Sequence, residues 1–230
     1  IVASYSVNEI TRVKEKISTV LKLNLFIALP SAVGLAVLAD PIMQVLFPAL
    51  GEYHIVGVRL LQTGSLAVVF YALSTLTTSV LQGCNRMRVP VYHSGISLLL
   101  HVILVGVLLY TTNLGVYALV IGNVTFPFLV CILNCRSVKK LLEYHFAWKE
   151  ILLKPGLAAL VMGCVTFVTY GGLIYVLGEV SRWKTALSLI LAVLVSLMVY
   201  GILLLVFKAF QPEELERIPL VKKIVRKKEK

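Results

Sequence analysis

Between Leu60 and Asn85 the chain runs without one charged side chain, and between Val89 and Cys135 it does so again. A bilayer core of about 30 Å needs roughly 20 apolar residues of helix at 1.5 Å each. The first run is long enough to cross once. The second is twice the required length and breaks at Thr111-Thr112-Asn113-Leu114-Gly115, where turn-forming residues split it into two helices. Composition agrees: 59% of the residues are hydrophobic and only 14% charged, where a soluble chain carries about 25% charge. A soluble enzyme, a disulfide-built secreted module and a disordered tail are thereby excluded.

The remaining crossings follow the same logic. Lys22 and Asp40 bracket a first stretch, Leu23 to Ala39, extendable through Ile17–Leu21; a fifth runs from Pro155 to Gly178 and a sixth from Thr185 to Phe207. The expected fold class is all-α, a polytopic membrane protein with six transmembrane helices. Pro90 and Pro155 are expected in first turns, where a missing N–H costs nothing, whereas Pro30 and Pro127 fall mid-span and should kink their helices. In parts, the reading is a cytoplasmic amphipathic lead-in (1–16), a four-helix unit (17–135) and a basic cytoplasmic loop (136–154). Two additional helices (155–207) and a basic cytoplasmic tail (208–230) follow.

Orientation comes from Lys and Arg, which accumulate on the cytoplasmic side of short loops. With the N-terminus inside, all but Arg59, Arg182 and Lys184 of the 22 basic residues lie on that side, so both termini are expected in the cytoplasm. The net charge of +11 flanks apolar spans and forms no free-standing basic domain, so nucleic acid is not an expected partner. The Leu215–Lys230 tail mixes apolar and basic residues and can lie on an anionic leaflet, at about 1 kcal/mol per basic residue near the surface.

Cys84, Cys131, Cys135 and Cys164 form no CxxC pair, and three sit inside or at the edge of apolar spans as small hydrophobes. The chain opens on Ile1 with no signal-peptide architecture before its first span, and the expectation is a piece of something longer. The eleven Asp and Glu lie in loops, span ends or tails, and no HExxH, GxSxG or GxxxxGK[ST] occurs. No enzyme chemistry, metal or cofactor is expected.

The spans instead carry polar stripes at helical spacing: Tyr71, Ser74, Thr75, Thr78 and Gln82 in the second, His93, Ser94, Ser97 and His101 in the third. Asn123, Pro127, Cys131 and Asn134 mark one side of the fourth. The short Gly83–Arg88 turn makes spans two and three expected antiparallel neighbours, with polar faces that together line a hydrated cavity. Tyr71, Thr75, Thr78, Gln82, Ser94, Ser97, His101 and Asn123 are the candidate substrate path; Arg86 and Arg88, in the turn, are candidate lipid-headgroup contacts. Gly156, Ala159 and Gly163 offer a small-residue packing face, and the nearly uniform Leu187–Val206 span is expected at the periphery, facing lipid.

Several runs resemble recurrent segments of the polysaccharide-biosynthesis and stage V sporulation protein B-like flippases. They are Leu29-Pro30-Ser31-Ala32-Val33-Gly34 through Asp40-Pro41-Ile42, then Val45-Leu46-Phe47, and Val80-Leu81-Gln82-Gly83 with the basic turn Asn85-Arg86-Met87-Arg88 and Val89-Pro90-Val91. Leu114-Gly115-Val116-Tyr117-Ala118, Lys154-Pro155 with Ala158, Ala159 and Met162, and Pro219 complete the set. The resemblance, carried by order and spacing over nearly the whole chain, implies membership of the multidrug, oligosaccharidyl-lipid and polysaccharide exporter superfamily. It implies fourteen helices in two six-helix lobes plus two, of which these six spans resemble helices nine to fourteen; an N-terminal lobe would be the missing partner.

By the same resemblance, spans two and three border the central cavity, spans five and six form a groove for a polyprenyl tail, and the cations that grip the pyrophosphate lie mainly outside this chain. The implied partners are membrane lipids and a polyprenyl-linked glycan, moved across the membrane by alternating access. Three other readings compete with this one, of which an intramembrane enzyme using His101 is disfavoured by the lack of a partner acid or nucleophile. A drug–cation antiporter of the same superfamily is disfavoured by spans five and six and by the lack of an intramembrane acid. A non-transporting scaffold for cell-envelope synthesis is disfavoured by the polar stripes.

Overall fold

A computed structural model describes residues 10–144, 148–177 and 181–207. Within them the chain is helical: α1 (Ile10–Val37), α2 (Ala39–Leu46), α3 (His54–Gly83), α4 (Arg88–Thr111), α5 (Val116–Leu142), α6 (Trp148–Leu177) and α7 (Arg182–Val206), with a 3₁₀ turn at Pro48–Tyr53. Six helices are long and apolar enough to cross a membrane, and α2 is the short extra element. The tail and most of the lead-in lie outside the described residues.

Local chemistry explains the boundaries. Pro41 has no N–H to give the Val37 carbonyl, so α1 ends there and the chain restarts as α2 with Asp40 and Pro41 in its first turn, where a carboxylate meets the positive end of the helix. Asn85, at φ 57, makes the turn between α3 and α4 by entering the left-handed region that Asn tolerates. Gly115, at φ 52 and ψ −123, makes the turn between α4 and α5 in a conformation open to glycine.

Helices overrun the spans read from hydropathy. α5 continues to Leu142 and α6 begins at Trp148, so Arg136, Lys139 and Lys140 stand on helix rather than in a loop. Cations in a last turn complement the helix dipole, which favours this extension past the apolar segment. For the same reason Pro155 is not in a first turn: it lies inside α6 and leaves the Ile151 carbonyl without its usual donor. Helix is continuous through Pro30 and Pro127.

Adjacency runs α7–α6–α1–α3–α5–α4, with α2 touching α3 and α7. Val13, Ile17, Leu21 and Leu25 form a stripe of every fourth residue on α1 and pack with Leu73, Val80 and Leu81 of α3 and Val138 and Leu142 of α5. A second cluster joins Phe26 to Ala158, Ala159 and Met162 of α6 and Tyr200 of α7. A Cβ on Gly163 would stand 2.6 Å from Val33, so the small face of α6 lets α1 approach closely; Gly156 meets nothing and takes no part.

Asn24 Nδ2 donates to the Ala72 carbonyl at 2.9 Å, tying α1 to α3 within the apolar layer. At the end of the row, α7 buries only a narrow stripe including Thr185, Ser188, Ala192, Ser196 and Tyr200, and turns Ile190, Leu194, Leu197 and Ile202 outward. Tyr110, Tyr175 and Trp183 are exposed at the helix ends opposite Arg86, as interfacial aromatics are.

Candidate functional site

The polar stripes of α3 and α4 do not meet. Joined by a short turn, the two helices touch little, because α5 lies between them and packs on both. The expectation of a cavity walled jointly by spans two and three is corrected by this: a tight turn fixes proximity only at one end, and α5 meets each stripe separately, through Asn123 and Asn134 on the α3 side and through Asn134 on the α4 side.

On the α3 side, Tyr71, Thr75 and Gln82 are exposed and Thr78 is half-buried. These positions fall within a narrow sector of one helix face. Tyr71 O–H donates to Asn123 Oδ1 of α5 at 2.9 Å, and Asn123 is exposed as well. Ser74 is buried and returns its hydroxyl to the Tyr71 carbonyl at 3.0 Å. The result is an uncharged polar strip on the surface of two adjacent spans.

Beneath that strip, Asn134 of α5 is fully buried and bonds on both sides. Its Nδ2 donates to Thr78 Oγ1 at 2.9 Å and to Thr77 Oγ1 at 3.3 Å. With the amide so oriented, Oδ1 accepts from His93 Nδ1 at 2.7 Å, which places the imidazole proton on Nδ1. His93 Nε2 then faces Ser137 Oγ at 3.4 Å. The chain from Thr78 to Ser137 therefore joins three helices near their common basic end.

The other members of the α4 stripe pack on α5 too. His101 lies over Gly122, with its edge toward Phe126 at a centroid distance of 6.1 Å. Its Nδ1 is buried and has no hydrogen-bond partner, and the same holds for Ser97 Oγ one turn earlier. Ser94 is half-buried. Of the eight candidate path residues, the structure gathers Tyr71, Thr75, Thr78, Gln82 and Asn123 on one face and sets Ser97 and His101 in the α4–α5 interface.

A family model for the lipid II flippase MurJ matches residues 2–196. The chain belongs to the MurJ family. It is 28% identical over 190 residues to the probable lipid II flippase MurJ of Bdellovibrio bacteriovorus, covering 77% of this chain and 34% of that protein. It is also 28% identical over 195 residues to stage V sporulation protein B of Bacillus subtilis, covering 85% and 35% respectively. The chain thus spans about a third of the length of these relatives. No solved structure gives a significant match.

In this member of the MurJ family an apolar groove of about 510 Å³ lies between α1, α6 and α7. Phe26, Pro30 and Gly34 form one wall, Met162 and Thr166 the floor, and Leu197 and Tyr200 the other wall. Tyr200 O–H donates to the Phe26 carbonyl at 3.0 Å, and Thr166 Oγ1 and Ser196 Oγ pair at 2.6 Å, so each polar atom there is satisfied within protein. The two candidate headgroup arginines part company. Arg86 lines a cavity with Ser137 and Lys140, whereas Arg88, exposed at the start of α4, is not among its lining residues.

Sequence reasoning placed Asn134 on the polar side of its span without carrying it into the candidate site, and left Ser137, Lys140 and Asn24 out of that site altogether. For the first three the signal was present: the Asn123–Asn134 stripe continues at helical spacing into Ser137 and Lys140. Burial pushes the Cys84 thiol up, which suits a small hydrophobe rather than a nucleophile.

Proposed function

We propose that this chain serves in the flipping of lipid-linked cell-wall or polysaccharide precursors across a bacterial cytoplasmic membrane by alternating access. Membership of the MurJ family supports the reading, and the polar strip of α3 and α5 is the observation that carries it. Five uncharged polar side chains on the surface of membrane spans are costly against hydrocarbon and inexpensive against water or a sugar. The strip is the wall of a hydrated path, closed by a preceding lobe of the same transporter. Tyr71, Thr75, Thr78, Gln82 and Asn123 offer hydroxyl and amide groups to the glycan.

The groove between α1, α6 and α7 holds the polyprenyl tail while the headgroup crosses. Its apolar walls and internally satisfied hydroxyls suit a hydrocarbon chain. The lipid-facing sides of α4 and α7 remain in the bilayer, and both ends of the chain face the cytoplasm, as the basic residues direct.

The test is a reconstitution assay. The natural gene product is placed in liposomes with a fluorescent polyprenyl-diphosphate-linked sugar, and transbilayer movement is read by an impermeant quencher. The expected result is flipping that falls several-fold in a Thr78→Val/Gln82→Leu double variant. Absence of flipping by the natural protein, together with efflux of a cationic dye, would replace this reading with the antiporter.

A further inference from the structure

Where α3, α4 and α5 share one end of the bundle, two adjacent cavities open around a common lysine. One, of about 420 Å³, is lined by Leu81, Arg86, Val89, Ser137, Lys140 and Leu141. The other, of about 430 Å³, is lined by Arg136, Lys139, Lys140 and Glu143. Glu143 is the sole acid among these lining residues, and it belongs to the second cavity. Neither Arg86 nor Lys140 forms an ion pair among the described residues.

We propose that the cavity formed by Arg86, Ser137 and Lys140 is a binding site for the phosphate of a membrane-lipid headgroup. Three observations converge on that chemistry. Arg86 from the α3–α4 turn and Lys140 from α5 bring a guanidinium and an ammonium to one cavity from two separate elements, and such donors meet phosphate oxygens with charge-assisted hydrogen bonds. Leu81, Val89 and Leu141 make the rest of the wall apolar, which suits the glycerol and first methylenes of a lipid and not a free ion alone. The depression is open on one side, with Arg86 and Lys140 exposed at its rim, where a headgroup at the membrane surface can enter.

Ser137 gives the site its link to the interior. Its Oγ stands 3.4 Å from His93 Nε2, a long contact that holds the hydroxyl weakly and leaves it free to turn its proton toward an anion in the cavity. His93 is in turn fixed by Asn134, which reaches Thr78 on the polar strip. Basic pockets between spans, at the end of a bundle where cations gather, are general sites of anionic headgroup recognition. The inference needs the membrane setting of the helices and does not rest on the transport reading.

The test is equilibrium binding to the full natural protein in a neutral detergent, with dihexanoyl phosphatidylglycerol and inorganic phosphate as the two probes. The lipid is expected to bind, and its affinity to fall at least tenfold in Arg86→Ala/Lys140→Ala and a few-fold in Ser137→Ala. Arg86→Lys should restore most of the loss, and Arg59→Ala, at the opposite end, should leave binding unchanged. Binding of inorganic phosphate that is lost in the same variants would identify phosphate alone as the recognised group. Lipid binding without phosphate binding would show that the apolar wall contributes. No lipid binding by the natural protein, or equal binding by the Arg86→Ala/Lys140→Ala variant with its thermal unfolding unchanged, would overturn the assignment.

Discussion

Asn134 is buried between three helices, and each arm of its amide is committed to a neighbour. In a membrane protein an interhelical hydrogen bond is worth about 0.6 kcal/mol, since the unfolded spans also find partners. Asn134→Ala removes three at once and strands the His93 Nδ1–H in an apolar interface, so the expected loss is roughly 2 kcal/mol. A lowered thermal midpoint in detergent would register it, and an unchanged one would mean that the three bonds are not formed together. Gly115 is a different case. No atom outside its neighbourhood would meet a Cβ there, so the cost of Gly115→Ala is conformational, about 1–3 kcal/mol for a residue held at positive φ. Gly34 also has free space but lies in regular helix, and Gly34→Ala should be close to neutral. Equal midpoints for the two variants would contradict the geometry of the α4–α5 turn.

At the scale of elements, the α4–α5 contact depends on Gly122, where a Cβ would collide with Val105 and approach the His101 ring. Gly122→Val is expected to push α4 away from α5, and a disulfide trap or spin-label pair across the two helices would report the displacement. An unaltered separation would mean that α4 is held by other contacts. The hydrophobic run lengths made the six spans readable in sequence, and helical spacing marked each polar stripe. What sequence could not supply was which stripe faces which. The Gly83–Arg88 turn invites pairing of spans two and three, yet packing places α5 between them, because side-chain volume at Gly122 and amide geometry at Asn134 decide helix order and neither is visible to periodicity. Helix ends were hidden for a related reason. Residues 136–142 are basic and lie past the apolar segment, so hydropathy ends the span before the backbone hydrogen bonds do.

Across the described residues, the row of helices carries exposed surfaces of different character. Around α3 and α5 the exposed strip is polar; on α7 the exposed face is aliphatic, and between α1, α6 and α7 runs the apolar groove. On the reading proposed above, a sugar headgroup and a hydrocarbon tail would use these two environments separately, the strip on α3 and α5 and the groove that α1 lines with α6 and α7. Helical spacing groups Tyr71, Thr75, Thr78 and Gln82 on one face, which is open, and groups Ser97 with His101 as well, although Ser97 Oγ and His101 Nδ1 are buried. A stripe shows that residues share a face; whether that face is open or packed depends on the neighbouring helix.

The most direct test of a hydrated path along α3 is thiol accessibility in the natural protein with its own cysteines replaced by alanine. Cysteines introduced singly at Thr75, Thr78 and Gln82 would be compared with cysteines at Ile190 and Leu194 of α7, using a charged, membrane-impermeant maleimide in native membranes. Rapid labelling on α3, slowed by added polyprenyl-diphosphate-linked sugar, with no labelling on α7, is the predicted result. Labelling on α3 as slow as on α7 would place the strip out of contact with water and contradict the account.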